Sequence, residues 1–182
     1  LMETGKKVSI VEMADQILPV QLDKTAAFEY QKRFEKAGAV FYLGRKAADT
    51  VMGEDKIIRE IILDNGEKLP CDLIIVAAGV RSAVAGMEGE GIVIDRGIKV
   101  DDYLQTGAEG VYAAGDVTGL SGIWPNAQKQ GETAALNMCG SHVEYTDRYA
   151  IKNTINFFGL VSMCVGVILP QEGDVVIARE DS

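Results

Sequence analysis

Gly110-Val111-Tyr112-Ala113-Ala114-Gly115-Asp116 is the stretch on which the fold turns. Val111 and Tyr112 favour extended backbone, and Gly115 stops the run with an acid directly behind it. The spacing predicts a strand over 110–114 whose carboxyl end opens at Gly115-Asp116. That end is where open α/β sheets take ligands. Ala113, Ala114 and Gly115 are small enough for a bulky group to lie against the backbone. A carboxylate at Asp116 could then accept charge-assisted hydrogen bonds from ligand hydroxyls, with Val117 beside it. The plain alternative is an aspartate that only caps a turn.

Working downstream, residues 125–138 read as a helix. Pro125 stands near its first turn, followed by Asn126, and Ala127, Gly131, Ala134, Ala135 and Met138 fall on one stripe. The positive end of this helix would point at the same strand edge and stabilise negative charge developing on a bound ring. Beyond residue 146, segments 155–158, 160–168 and 175–177 are strand-like.

Working upstream, Val8-Ser9-Ile10-Val11 is a short apolar strand ending in Glu12. Residues 23–37 read as a helix, with Asp23 as N-cap and Ala26, Ala27, Tyr30, Phe34 and Ala37 at helical spacing. Strands follow at 40–43, 47–52, 57–63 and 68–69. Asn65-Gly66 is a hairpin signal between the last two. Leu73-Ile74-Ile75-Val76-Ala77 is an unbroken apolar run of the kind buried on both faces of a parallel sheet, and it ends at Ala78-Gly79. Short strands are expected at 92–94 and 98–100. The class is α/β: a parallel sheet carrying an antiparallel meander.

Two more strand ends carry chemistry. In a dinucleotide-binding βαβ unit, an acid about 20 residues past the glycine fingerprint accepts the adenosine ribose hydroxyls. Glu12 stands where such an acid belongs. Met13, Ala14 and Asp15 offer no cation for a 2′-phosphate, so NAD is expected rather than NADP. Gly79, at the end of the apolar run, would let a ligand approach the backbone. Each also has a plain reading, an exposed acid and a turn glycine.

The composition fits this picture. The net charge of the 182 residues is −9, and 47 % are apolar, which argues against disorder. An acidic chain with no basic patch argues against nucleic acid. No apolar run approaches the roughly 18 residues of a membrane helix. Glycine is abundant at 20 residues and gathers at strand ends. Cys71, Cys139 and Cys164 form no CxxC pair, and His142 is the one histidine. A disulfide framework and a local metal cluster are therefore not expected, and a cytoplasmic location is. Leu1–Gly5 reads like the last turn of a helix, and the final strands have no obvious partners. We expect the chain to continue at both ends.

The string from Gly110 to Asp116 resembles the second FAD-binding motif of the pyridine nucleotide-disulfide oxidoreductase family. Val11–Asp15, Ala77–Arg81 and Asn126–Gly140 resemble that family in the expected order, so the likeness covers roughly residues 1–170. The similarity is greatest to the branch of rubredoxin reductases, NADH oxidases, coenzyme A-disulfide reductases and the flavoprotein part of NADH-dependent nitrite reductases. The resemblance implies a partial FAD/NAD(P)-binding fold with two dinucleotide domains plus the start of an α+β interface domain. Residues 1–85 would be the later part of an NAD(H) domain, 86–145 a returning segment of an FAD domain, and 146–182 the start of a dimerisation domain.

It implies that Asp116, flanked by Gly115 and Val117, hydrogen-bonds the flavin ribitol. It implies that Glu12 holds the NAD ribose, that Gly79 lies against NAD, and that the helix starting at Pro125 and Asn126 points at the flavin. It also implies hydride transfer from NADH to FAD and then to a small molecule or small redox protein, in a protein that forms a homodimer. Two departures are plain: Ser82 stands where a proline often follows the arginine, and neither glycine-rich fingerprint lies in the chain. The family's redox cysteine is likewise outside it, which leaves the three cysteines structural. The alternatives are a non-catalytic module that keeps the fold and binds a partner or a single nucleotide, or another doubly wound domain in which Gly115-Asp116 is only a turn.

Overall fold

A computed structural model describes residues 1–147 and 152–179. The chain divides into two units: residues 1–77 with 153–164 and 168–182, and residues 78–152 with 165–167.

In the first unit, β1 (Val8–Glu12) pairs in parallel with β2 (Ala39–Leu43), in register from Val8 opposite Ala39 to Glu12 opposite Leu43. Between them runs α1 (Lys24–Lys36). Asp23 caps it as its sequence demands, its carboxylate accepting the Ala26 N–H at 2.8 Å and so satisfying one of the helix's orphan donors. Arg33 and Lys36 lie in the last turn, where cations complement the helix dipole. The inner face of α1 buries Ala27 and Tyr30 against Ile17, Leu22 and Ile155. Phe34 meets Phe41 and Phe158 edge-to-face, with ring centroids 6.2 and 5.0 Å apart.

The meander follows as β3 (Ala47–Met52), β4 (Ile58–Leu63) and β5 (Lys68–Pro70), all antiparallel. The Asn65-Gly66 hairpin forms as its sequence requires. Gly66 has φ +84°, which a side-chain-bearing residue adopts only at a cost. β6 (Lys152–Phe157) and β7 (Leu160–Val165) pair with each other. The hairpin is tied to α1 through the Tyr30 hydroxyl, which lies 3.0 Å from Ile155 O, 2.9 Å from Leu160 O and 3.1 Å from Ser162 Oγ.

In the second unit, α2 (Trp124–Met138) packs over loops rather than over a sheet. Leu104, Ala134 and Tyr145 are its apolar centre, with Val100, Tyr112 and Ala114 around them.

The structure departs from the sequence expectations at several elements. The run Leu73–Ala77 is not a strand; Leu73 and Val76 are 68 % and 82 % exposed. No segment among the described residues pairs with it, and an apolar run without a partner ladder leaves its N–H and C=O groups to water. The strands expected at 92–94, 98–100 and 110–114 shrink to isolated bridges: Gly89 with Ile92, Ile94 with Ile98 and Gln105 with Tyr112. Residues 175–177 form no strand and are exposed. On α2 only Ala134 of the expected stripe is buried. The buried face is Asn126, Gln130, Ala134 and Asn137; Gln130 and Asn137 meet backbone groups of the loops beneath, while Ala134 packs on Leu104 and Tyr145.

Candidate functional site

Two strand ends, one in each unit, carry the residues singled out by sequence. In the second unit the chain leaves the Gln105–Tyr112 bridge, passes Ala113 and Ala114, and enters a single 3-10 turn at Gly115–Thr118. Gly115 has φ +81°, and a Cβ there would stand 3.6 Å from Ala127 Cβ on α2. The left-handed conformation is what throws Asp116 outward. Asp116 is exposed, and its carboxylate accepts no hydrogen bond from the described residues. Its backbone carbonyl is held at 2.6 Å by the Ser82 hydroxyl. The departure at position 82 thus has a structural consequence: a proline there could not make this bond.

The underside of the turn is packed against backbone. Gly97 carries no side chain because a Cβ would fall 2.3 Å from Thr118 C and 2.4 Å from Gly119 N. Ile98 N donates to Val117 O at 2.9 Å, which leaves Val117 half-buried. On the α2 side, Gly115 N donates to Gln130 Oε1 at 2.8 Å, and Thr118 Oγ1 lies 2.8 Å from Gly115 O and 3.2 Å from Gln130 Oε1.

The start of α2 is open. Ile123 is its N-cap and provides no side-chain cap, and Trp124 and Pro125 are exposed. The start of the helix therefore presents the positive end of its dipole; Pro125 carries no N–H, and Ala127 N already donates to Ile123 O at 3.1 Å. Asn126, one residue further, is 1 % exposed, with Oδ1 3.5 Å from Lys152 Nζ. Lys152 in turn pairs with Asp147, which also takes Lys129 of α2 at 2.7 Å. The hydrogen bonds from Lys129 and Lys152 hold the Asp147 carboxyl below the usual carboxylate range, and Asp147 raises Lys129 above the usual lysine value.

In the first unit, Glu12 ends β1 and is half-buried. Its Oε1 accepts Ala14 N at 2.8 Å, and Arg45 N donates to Glu12 O at 3.1 Å. The carboxylate is held by the turn that follows it, with its second oxygen left for a ligand donor. Asp15 is engaged by Lys24 at 2.7 Å, and that hydrogen bond lowers its pKa. Gly79 belongs to the second unit, with φ +87° and nothing within 4 Å of where a Cβ would be.

Asp116, Gly115, Val117, Pro125 and Asn126 therefore share one unit, gathered around the turn and the start of α2. Sequence reading missed Gln130, Asn137 and the Lys129–Asp147–Lys152 cluster. Asn137 donates to Tyr103 O and Val143 O and accepts from Val143 N. The available signal was polar: Asn126, Gln130 and Asn137 recur at helical spacing on one face of α2. The described residues contain no group of three His, Cys, Asp or Glu able to hold a metal, and no helix long and apolar enough to cross a membrane.

A family model described as pyridine nucleotide-disulphide oxidoreductase matches residues 1–131. The chain is 34 % identical over its whole length to the epsilon subunit of the NADH-dependent phenylglyoxylate dehydrogenase of Aromatoleum evansii, covering 45 % of it. It is 31 % identical to the nitrite reductase [NAD(P)H] of Bacillus subtilis, over 77 % of this chain and 18 % of that protein. The crystal structure of the ferredoxin reductase of the CYP199A2 system from Rhodopseudomonas palustris superposes with TM-score 0.72 at 26 % identity, covering 81 % of this chain and 39 % of that one. The chain spans less than half the length of each.

Proposed function

Because the chain belongs to the pyridine nucleotide-disulphide oxidoreductase family, whose members use FAD and NAD(P)H, we propose that it is part of an FAD-dependent NADH oxidoreductase. In this reading residues 86–145 help hold FAD, residues 1–85 help hold NADH, and residues 146–182 begin a dimerisation domain. The observation that carries it is the Gly115–Thr118 turn, which presents an exposed Asp116 carboxylate beside the open N-terminus of α2.

Those two groups fit a flavin. An exposed carboxylate with no internal partner suits the ribitol hydroxyls. The positive end of the α2 dipole suits a ring edge that gains negative charge. When bound, FAD supplies the chemistry by taking a hydride from NADH and passing electrons onward. The chain's own residues bind and orient. Asp116 accepts from the ribitol, α2 stabilises charge, and Gly115 keeps side-chain atoms away from the ligand. Glu12 accepts from the adenosine ribose of NADH and repels a 2′-phosphate, and Gly79 lets the nicotinamide nucleotide approach the backbone.

The acceptor would be a small molecule or a small redox protein; the name of the ferredoxin reductase relative favours the latter. A homodimer would cover exposed Val161, Met163, Val175 and Ile177 of the first unit, which are 61–88 % accessible. Exposed apolar patches of this kind mark interfaces. A cytoplasmic location belongs to the same proposal.

The test is flavin content. Asp116→Ala in the intact protein should purify with less bound FAD than the wild type, measured from absorbance near 450 nm per mole of protein. Unchanged flavin occupancy would reject the site and favour a module that keeps the fold without the cofactor.

A further inference from the structure

We propose that Gln130 is a positioning residue that locks the Asp116 turn to the start of α2; the inference rests on the flavin-site reading above. Gln130 is 0 % exposed. Its Oε1 takes the Gly115 N–H at 2.8 Å and sits 3.2 Å from the Thr118 hydroxyl. Gly115 N–H can only donate, so the orientation of the amide is fixed by chemistry.

The two partners are the first and last residues of the turn that carries Asp116. Gly115, at φ +81°, decides the direction in which Asp116 leaves the strand end. Thr118 closes the turn, lying 2.8 Å from Gly115 O and accepting Leu120 N at 3.3 Å. One buried acceptor on α2 therefore holds the Gly115 N–H at the head of the turn, with the Thr118 hydroxyl, whose one proton has the nearer Gly115 O at 2.8 Å, packed beside it. The other end of the amide does nothing comparable, since Gln130 Nε2 is buried with no partner among the described residues. A buried unpaired donor is a standing cost, set against the gain of satisfying the buried Gly115 N–H. What the position supplies is the acceptor. Asp116 and the positive end of α2, the two features assigned to the flavin, then move as one piece. A preorganised pair binds more tightly than one that must be ordered on contact.

The test uses Gln130→Met, which keeps length and volume but loses the acceptor, and Gln130→Glu, which keeps it. Two readouts are taken: hydrogen exchange of the Gly115 amide in flavin-free protein, and FAD affinity of the intact protein from quenching of flavin fluorescence. Gln130→Met should speed Gly115 exchange about tenfold while α1 amides are unaffected, and should weaken FAD binding about tenfold. Gln130→Glu, assayed at about pH 5–6 where a buried carboxyl stays neutral, should restore both. A glutamate that fails as badly as methionine overturns the proposal.

If Gln130→Met does not fold, Gln130→Leu, which also removes the acceptor and leaves the bonds of Thr118 to Gly115 O and Leu120 N in place, gives the reading instead. It should shift both readouts in the same direction, and no shift overturns the proposal. An Asp116→Ala protein that keeps its flavin overturns the site reading and the proposal with it. Loss of flavin in Asp116→Ala beside retention in Gln130→Met overturns the proposal alone.

Discussion

At the residue scale, the proposed function gives Glu12 the choice of nicotinamide cofactor. Ala14 N holds one carboxylate oxygen at 2.8 Å, so the charge stays at the end of β1 rather than swinging into solvent. A 2′-phosphate placed there would meet a fixed like charge, while a ribose hydroxyl would meet an acceptor. The intact protein should therefore show a higher kcat/KM for NADH than for NADPH. Glu12→Ala should narrow that ratio about tenfold or more, mainly by raising KM for NADH. Steady-state kinetics with both cofactors measures it, and a wild-type preference for NADPH would remove the role given to Glu12. Neighbouring Asp15 does not share that role, since Lys24 already neutralises it.

At the element scale, the Gly115–Thr118 turn is held from two sides. Below it, Gly97 allows the 98–100 segment to lie against the turn's backbone; above it, Gln130 reaches down from α2. Gly97→Ala should cost about 1–3 kcal/mol, the range for forcing extra atoms into a packed site, because the atoms in the way are backbone and cannot rotate aside. Urea denaturation followed by circular dichroism measures this. A cost near zero would mean that the segment and the turn are not in contact. Gly131→Ala, on the exposed face of α2 with nothing within 4 Å, is the control. It should be neutral or stabilising by up to about 1 kcal/mol, as expected for replacing glycine in a helix.

At the scale of the whole molecule, charge placement sets the pH range in which the second unit is held together. Asp147 joins Lys129 of α2 to Lys152 at the start of β6, and its folded pKa is lowered. A lowered acid stabilises the fold above its unfolded pKa of about 3.9. That contribution disappears as pH falls through the folded value. Lys129 is raised, so its share is complete below about 10.4 and is lost as pH climbs through its folded pKa. Asp147→Asn should therefore melt at a lower temperature than wild type from pH 5 to 9. The gap should close below about pH 4 and shrink in high salt. Thermal scans across pH check it, and a gap that persists in acid would assign the effect to packing instead.

Much of this protein was legible from sequence because much of it is local. An Asp23 cap, an Asn-Gly hairpin, the apolar face of α1 and a glycine–aspartate turn each depend on residues a few positions apart. Their backbone geometry follows from side-chain shape and short-range hydrogen bonds, and the family likeness rests on such strings. What only the tertiary structure decided involves partners far along the chain. Leu73–Ala77 has strand composition but acquires no ladder without a neighbour, since a β-strand is a property of a pair. The buried face of α2 turned out largely polar because the loops beneath it offer amides and carbonyls to Gln130 and Asn137 beside the apolar contact of Ala134 with Leu104. The Gln130–Gly115 bond, fifteen residues apart in sequence, could be seen only after the helix and the turn had been brought together in space.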